Sequence, residues 1–458
     1  MRDETDRETA GVAFGPRCAH LVGLGGRGMS GIAQVLSQSG LLVSGSDDAA
    51  GPELDGLRRL GIRVHEGHAP GHLPRRPHFL VYDVSKGREH PERLAALKAG
   101  SPQSSRAEIL RQLVGGKLAV AVSGGRGSGL AGAMMAGVLT RAGMDPTVVL
   151  ATRSSQLGGW GRLGRGPTAV IETACEPEEI EQLAPWLTLL MITATGPAVS
   201  PTIRSLIESS ADVSRGGVLV AGDLELGELR MRGTGPVEKV GLRREDDWWG
   251  ADLREDKGRF RFRAFYQGTF VAEIRLRVPG LGPVLCALAA LAAGMRLDVP
   301  VPAIRDALEE FAGVSRGFES RGSFRGVTLV DDEAQDPVSV DETLSVGRMI
   351  YGRRRLWAVL GPGRGSTDLA EAFVAPLSRA DRVLVVGREG LCGTWTSAVR
   401  SLDEQGVSAV SVADRDEAVD RLDRQLEPGD VLITLGSGQV GTIADAFLGR
   451  LPRDRQAG

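Results

Sequence analysis

Two glycine-rich loops carry the residue types from which phosphate chemistry is built, and the second is the more informative. Residues 123–129 read Ser-Gly-Gly-Arg-Gly-Ser-Gly, after an apolar run (Leu118 to Val122) and before a helical one (Ala131 to Leu139). Strand, glycine loop and helix in that order cradle nucleotide phosphates, because loop N–H groups and the helix N-terminus point at the anion. A working cradle also needs a Lys against the β/γ-phosphates and a neighbouring Ser/Thr hydroxyl on Mg²⁺. Ser128 and Gly129 stand where that Lys-Thr pair belongs. Gly124, Gly127, Ser128 and Gly129 therefore keep the shape of an ATP site without its charge. Arg126 is the only cation of the loop; it precedes the tight turn and reads as a solvated residue.

The first loop, Gly23-Leu24-Gly25-Gly26-Arg27-Gly28-Met29-Ser30-Gly31, follows an apolar strand and opens a helix. As a lone G-x-G-x-x-G it is weak evidence for a dinucleotide. A nicotinamide-dependent oxidoreductase would also need a proton-relay His or Tyr, and none stands at a sensible place. What the loop offers is close backbone approach to a diphosphate at Gly23, Gly25, Gly26 and Gly28. The helix N-terminus at Met29 and Ser30 adds N–H groups, and Asp47, at the end of the next strand, can accept from a ribose or uracil donor.

The elements that must position these loops follow an α/β rhythm. Apolar strands alternate with helical segments from residue 17 onward, which predicts parallel sheets. At 458 residues the chain exceeds one ordinary core and suggests about three domains. We expect a polar, disordered stretch over 1–16, a Rossmann-like domain over 17–114, a central P-loop-type α/β domain over 115–315 and a C-terminal Rossmann-like domain over 316–458. Phe260–Arg263 and Phe270–Val278 alternate at period two and read as strands. Gly233–Pro236 and Arg243–Asp256 read as surface loops, with Trp248 and Trp249 packing locally.

Composition narrows the function classes. Hydrophobic residues make up 42% and charged residues 25%, as in an ordinary globular protein. A net charge of −3 leaves no basic footprint for nucleic acid. No apolar run reaches the ~18 residues of a membrane span, and the opening Met-Arg-Asp-Glu is no secretory leader. We expect a cytoplasmic chain with no membrane insertion. The four cysteines are scattered without a CxxC pair, so neither disulfides nor zinc are indicated. His20, His65, His68, His72, His78 and His90 all fall in the first domain, but their spacing matches no metal pattern, and surface or loop roles are expected.

The first loop, followed by Ser44-Gly45-Ser46-Asp47, resembles the UDP-sugar-binding domain of the Mur ligases of peptidoglycan synthesis. Within them it is most similar to the branch that joins L-alanine to UDP-N-acetylmuramate. The likeness continues through Ser85, His90-Pro91-Glu92 and Ser105-Arg106-Ala107-Glu108, and then over nearly the whole chain in the family's order. It implies three domains, binding UDP-sugar, ATP and amino acid. It also implies a reaction in which ATP turns the muramyl carboxylate into an acyl phosphate that the amine attacks. Gly23, Gly25, Gly26, Gly28, Met29, Ser30, Asp47 and Ser85 would hold UDP-N-acetylmuramate or a related UDP-sugar.

The sequence departs from the family where that chemistry is done. The family loop G-T-H-G-K-T is Gly124-Gly125-Arg126-Gly127-Ser128-Gly129. The first Glu of the metal-binding Glu-Ala-Cys-Glu aligns with Thr173. Glu172 lies one residue away, and a one-residue offset in a strand turns a side chain to the other face. Glu176 remains as a weak metal ligand. In T-N-x-x-x-D-H only Thr193 stays, and Val199 takes the His position. G-R-H-N-x-x-N-A has become Gly280-Leu281-Gly282-Pro283-Val284-Leu285-Cys286-Ala287. D-D-Y-x-H-H-P keeps Asp331, Asp332 and Pro337, and a later motif keeps Pro362, Arg364 and Ser366. These losses together predict a folded pseudoenzyme that retains UDP-sugar binding, with a UDP-sugar or other cell-wall synthesis proteins as partners. The alternative is an active ATP- and Mg²⁺-dependent ligase with a rebuilt site, in which Arg126, Glu176, Asp331, Asp332 and Arg364 carry the load.

Overall fold

The computed structural model describes residues 18–26, 28–48, 52–74, 79–125, 127–192, 200–226, 232–363, 367–387, 395–436 and 438–450. Arg126, Arg364, Thr193, Val199 and the 1–16 stretch lie outside these residues. Two compact units are resolved, one of residues 1–239 with 292–300 and one of 240–291 with 301–458.

The first unit begins with five parallel strands, β1 (Cys18–Val22), β2 (Leu42–Asp47), β3 (Arg63–Glu66), β4 (Phe79–Tyr82) and β5 (Gln103–Ser105), in the order β3-β2-β1-β4-β5. Helices α1 (Met29–Gln38), α2 (Pro52–Arg59), α3 (Pro91–Lys98) and α4 (Arg106–Leu113) connect them or follow. The chain leaves β1 toward β2 on one side and returns to β4 on the other. The end of β1 is thus a topological switch point, where open α/β sheets bind their ligands. The first glycine loop lies there.

A second set of strands follows in the same unit: β6 (Leu118–Gly124), β7 (Thr147–Ser154), β8 (Gly159–Arg162), β9 (Thr168–Glu172), β10 (Leu187–Met191) and β11 (Val218–Ala221), ordered β11-β10-β6-β9-β7-β8. Only β8 is antiparallel to its neighbour. β9 and β10 are buried along their whole length, as expected of parallel strands covered on both faces. Helices α5 (Ser128–Arg141), α6 (Pro177–Leu183) and α7 (Pro201–Val213) complete the unit.

The second unit begins within β12 (Val237–Gly241), at Val240 and Gly241, which pair with Trp248 and Trp249. An antiparallel ribbon follows: β13 (Trp248–Asp256), β14 (Arg259–Tyr266) and β15 (Thr269–Pro279). The reading of Arg243–Asp256 as a loop is corrected here, because its second half is β13. Trp248 stacks on Tyr266 with ring centroids 4.3 Å apart, and Trp249 on Phe265 at 4.6 Å. These cross-strand aromatic pairs fix a strand whose outward residues are charged and hide the alternation.

Helices α8 (Gly282–Arg296), α9 (Val301–Glu310) and α10 (Pro337–Tyr351) come next in the chain, with the last sheet around α10. That sheet is formed by β16 (Glu319–Phe324), β17 (Val327–Asp332), β18 (Leu356–Gly361), β19 (Arg382–Val386), β20 (Ser408–Val412) and β21 (Val431–Gly436), ordered β16-β17-β21-β18-β19-β20. The observed class is mixed α/β, as expected. Among the described residues no helix is long and apolar enough to cross a membrane.

Buried Asp430 ties the starts of β18 and β21. It accepts from Arg355 at 2.9 and 2.8 Å, from Trp357 Nε1 at 3.1 Å and from the Glu427 N–H at 2.9 Å. Burial alone would raise its carboxyl, but these donors hold it below the ordinary value. A depressed carboxyl contributes stability above its unfolded-state value and loses it as pH falls further. Asp430→Asn is expected to cost about 1.5–3 kcal/mol at neutral pH. In urea unfolding, the gap from the parent chain should shrink below about pH 4.

Candidate functional site

The first loop is shaped by its glycines. Gly23 and Gly28 have positive φ, 82° and 74°. A Cβ on Gly28 would stand 2.6 Å from Arg106 Nη2. The loop closes on itself through the Gly26 N–H to Gly23 O (3.0 Å) and the Met29 N–H to Gly26 O (3.0 Å). The Ser30 hydroxyl donates to Leu24 O at 3.1 Å, so it serves the loop. Asp47 Oδ2 accepts from the Gly25 N–H at 2.8 Å. The acid expected to meet a ribose or uracil therefore also orders the first loop. Ser85 is exposed and bonds Asp83 Oδ1 at 2.6 Å, and Gly23 faces Asp83 and Lys86. The structure brings the residues expected for a UDP-sugar to the ends of β1, β2 and β4.

The second loop is tighter. Gly124 has φ 123°, and a Cβ there would lie 2.1 Å from Met191 O. Gly127, with φ 101°, caps α5. The Gly125 N–H donates to Met191 O at 2.9 Å. Ser128 donates its hydroxyl to Glu172 Oε1 at 2.9 Å, and the Ala151 N–H holds Glu172 Oε2 at 2.8 Å. A Cβ on Gly129 would meet Thr152 Oγ1 at 2.0 Å and Glu172 Oε2 at 3.4 Å.

One expectation is corrected here. Glu172 does not turn away: it is the last residue of β9, on the face that α5 covers, so its buried carboxylate reaches the helix N-terminus. Thr173, at the family's Glu position, lies past the strand end with its hydroxyl buried and unpartnered among the described residues. Glu176 is exposed at the start of α6, and Cys175 donates to Gly124 O.

Arg106 connects the two loops. It is buried, packs under Gly28, donates through Nη2 to the Glu172 carbonyl at 2.8 Å and pairs through Nη1 with buried Glu179. The Ser105–Glu108 capping box holds the start of its helix. Gln34 adds a second link, accepting from the Trp160 and Gly161 N–H groups at 2.9 and 3.1 Å. Sequence reasoning saw the Ser-Arg-Ala-Glu motif but assigned Arg106 no task.

The second unit places Asp331 and Asp332 inside its last sheet. Asp331 accepts from Arg316 Nε at 3.0 Å and the Thr434 hydroxyl at 2.7 Å. Asp332 accepts from the Phe318 and Ala334 N–H groups, both at 2.8 Å, and from Thr343 at 3.2 Å. Both are buried and engaged in holding the sheet.

The histidines expected at surface or loop positions instead gather. His20 is fully buried, and His20, His65, His68, His72 and His90 surround buried Glu92. Linear spacing missed them because they come from β1, β3, the segment after β3 and the start of α3. Burial alone would raise the Glu92 carboxyl, but donors from His20, Ser46 and the Ala69 N–H hold it down at about 2. Burial and neighbouring His68 push His90 below its ordinary value. His78 lies outside the described residues.

Removing the cation that links the loops strands a buried carboxylate. Arg106→Ala is expected to destabilise the first unit by about 3–5 kcal/mol. Chemical unfolding of Arg106→Ala, Glu179→Ala and the double variant should show the double variant losing less than the sum.

Comparison with known proteins places this geometry. Residues 19–117 match the "Mur ligase family, catalytic domain" model, and residues 318–438 match "Mur ligase, glutamate ligase domain". The UDP-N-acetylmuramate–L-alanine ligase of Geobacter sulfurreducens is 32% identical over 96% of this chain and 98% of its own length. That of Solibacter usitatus is 31% identical over 98% and 99%. Among solved structures, the UDP-N-acetylmuramate–alanine ligase of Thermotoga maritima superposes with a TM-score of 0.82 at 23% identity, covering 94% of this chain and 98% of that one. A murein peptide ligase from Psychrobacter arcticus gives 0.73 at 20% identity over 95% and 100%. With a switch-point glycine loop, a second glycine loop and relatives matched from end to end, this chain belongs to the Mur ligase family.

Proposed function

We propose that this chain is a cytoplasmic, non-ligating member of that family. It binds UDP-N-acetylmuramate or a closely related UDP-sugar on its first loop and acts on cell-wall synthesis through that ligand or through partner proteins. The observation that carries this reading is the surroundings of Ser128 and Gly129. A phosphate cradle needs positive charge and room for a metal-bound hydroxyl. Here a buried carboxylate sits at the helix N-terminus, and Thr152 fills the space a side chain at 129 would take. Loss of a cation from such a site removes several kcal/mol of transition-state stabilisation. Because these groups act as a unit, one compensating residue restores little.

The second reading, an active UDP-N-acetylmuramate–L-alanine ligase with a rebuilt site, draws its support from the relatives, which carry that name and match nearly the whole chain. It requires ATP and Mg²⁺. Glu176, being exposed, is the carboxylate most open to a metal in that case, whereas Asp331 and Asp332 are already engaged.

Calorimetric titration separates the two. The first reading expects saturable binding of UDP-N-acetylmuramate, weakened about tenfold or more when Gly25→Val crowds the loop, and no heat with Mg-ATP. It also expects Ser128→Lys/Gly129→Thr to leave Mg-ATP unbound, because Glu172 and Thr152 remain. Micromolar Mg-ATP binding by the parent chain, with phosphate released on adding L-alanine, would establish the second.

A further inference from the structure

Five of the chain's six histidines surround one carboxylate. They come from separate places: His20 from β1, His65 from β3, His68 and His72 from the segment after β3, and His90 from the start of α3. Glu92 Oε1 is engaged by the Ala69 N–H at 3.1 Å and His72 Nδ1 at 3.0 Å. Its Oε2 faces the Ser46 hydroxyl, His20 Nε2 at 3.4 Å and His68 Nδ1 at 3.7 Å. His90 stands apart from this network. Both its ring nitrogens are buried with no partner among the described residues, and its ring meets that of His68 edge-on with centroids 4.4 Å apart. Leaving both nitrogens of a buried imidazole unsatisfied is costly unless a lone pair is given to something else.

We infer that His68, His90 and Glu92 form a metal site for a divalent ion of the zinc or cobalt type. One ligand atom from each lies within 4.8 Å of the other two. Bonds of about 2.0–2.1 Å in a tetrahedron space the ligands roughly 3.3 Å apart. The 3.7 Å between His68 Nδ1 and Glu92 Oε2 is near that already. Two imidazoles and a carboxylate suit zinc or cobalt and leave a fourth position open. The surroundings also orient a ligand. His68 Nε2 lies 3.2 Å from Asp48 Oδ1 and 3.1 Å from Lys86 Nζ, and its Nδ1 lies 2.8 Å from the Ser46 hydroxyl. A metal-binding imidazole gives its other N–H to such a carboxylate, so with Nε2–H on Asp48 the Nδ1 lone pair, which faces Ser46 and Glu92, is the one available to an ion. Lys86, 2.7 Å from the other Asp48 oxygen, balances that carboxylate. The site shares no ligand with either glycine loop and does not depend on which catalytic reading holds.

The test uses the untagged full-length chain and metal alone. Titration with Co²⁺ is expected to saturate at one ion per chain, with visible ligand-field absorption that Zn²⁺ abolishes. His68→Ala and His90→Ala should each weaken binding by about tenfold or more, and Asp48→Asn, a positioning change, by about 10–100-fold with an altered cobalt spectrum. His65→Ala, whose ring packs against His72 and His20, should leave stoichiometry and spectrum unchanged. The His90 ring makes no hydrogen bond among the described residues, so His90→Ala should keep the metal-free melting temperature and separates ligation from folding. Absence of saturable binding, or binding and spectrum unaltered in both His68→Ala and His90→Ala, would overturn the site.

Discussion

A single buried guanidinium holds the first unit together. Arg106 reaches three partners that belong to different parts of the chain: the backbone at Gly28, the carbonyl of Glu172 and the carboxylate of Glu179. A planar fork with several fixed donors suits this task better than a single flexible ammonium. Glycine at 28 follows directly, since any side chain there would enter the guanidinium. The geometry of the first loop is thereby tied to the strand end that supplies Glu172 to the second.

The two loops answer the same electrostatic problem in different degrees. Each presents N–H groups at a helix N-terminus, which favours negative charge. In each, the protein's own carboxylate approaches: Asp47 on Gly25 and Glu172 on Ser128. Asp47 is partly open to solvent, so water already shares in stabilising its charge. Glu172 is 4% exposed and held from two sides. Displacing it would strand a buried anion beside the incoming phosphate, whose charge has the same sign. The first loop keeps its acid half-exposed, and the second has its anion built in.

Much of the fold was legible from local pattern. Parallel strands announce themselves as apolar runs, and the positive φ angles of Gly23, Gly28, Gly124 and Gly127 explain why glycine recurs after them. What escaped depends on pairing at a distance. Trp248–Asp256 looked like a loop because its charged residues face outward and its partners lie on β14. Glu172 was judged by strand alternation relative to its neighbour, whereas its role is set by which face α5 covers. The histidine cluster follows no metal pattern in the linear chain, since two parallel strands, the segment after the second of them and the start of a helix assemble it.

Several family-motif residues that remain are ones the fold itself uses. Asp331 and Asp332 receive hydrogen bonds from Arg316, Thr434, Thr343 and two backbone N–H groups, and Pro337 opens α10 behind the Asp336 cap. Gly124 lies so close to Met191 that only glycine fits. The Tyr and both His that the family pattern places after those aspartates are gone, as is the Lys of the phosphate loop. A side chain that holds the sheet is kept by folding whatever becomes of the reaction, so the survival of Asp331 and Asp332 says little about catalysis, whereas the replacements around Ser128 and Gly129 fall where no fold contact required the family's residues.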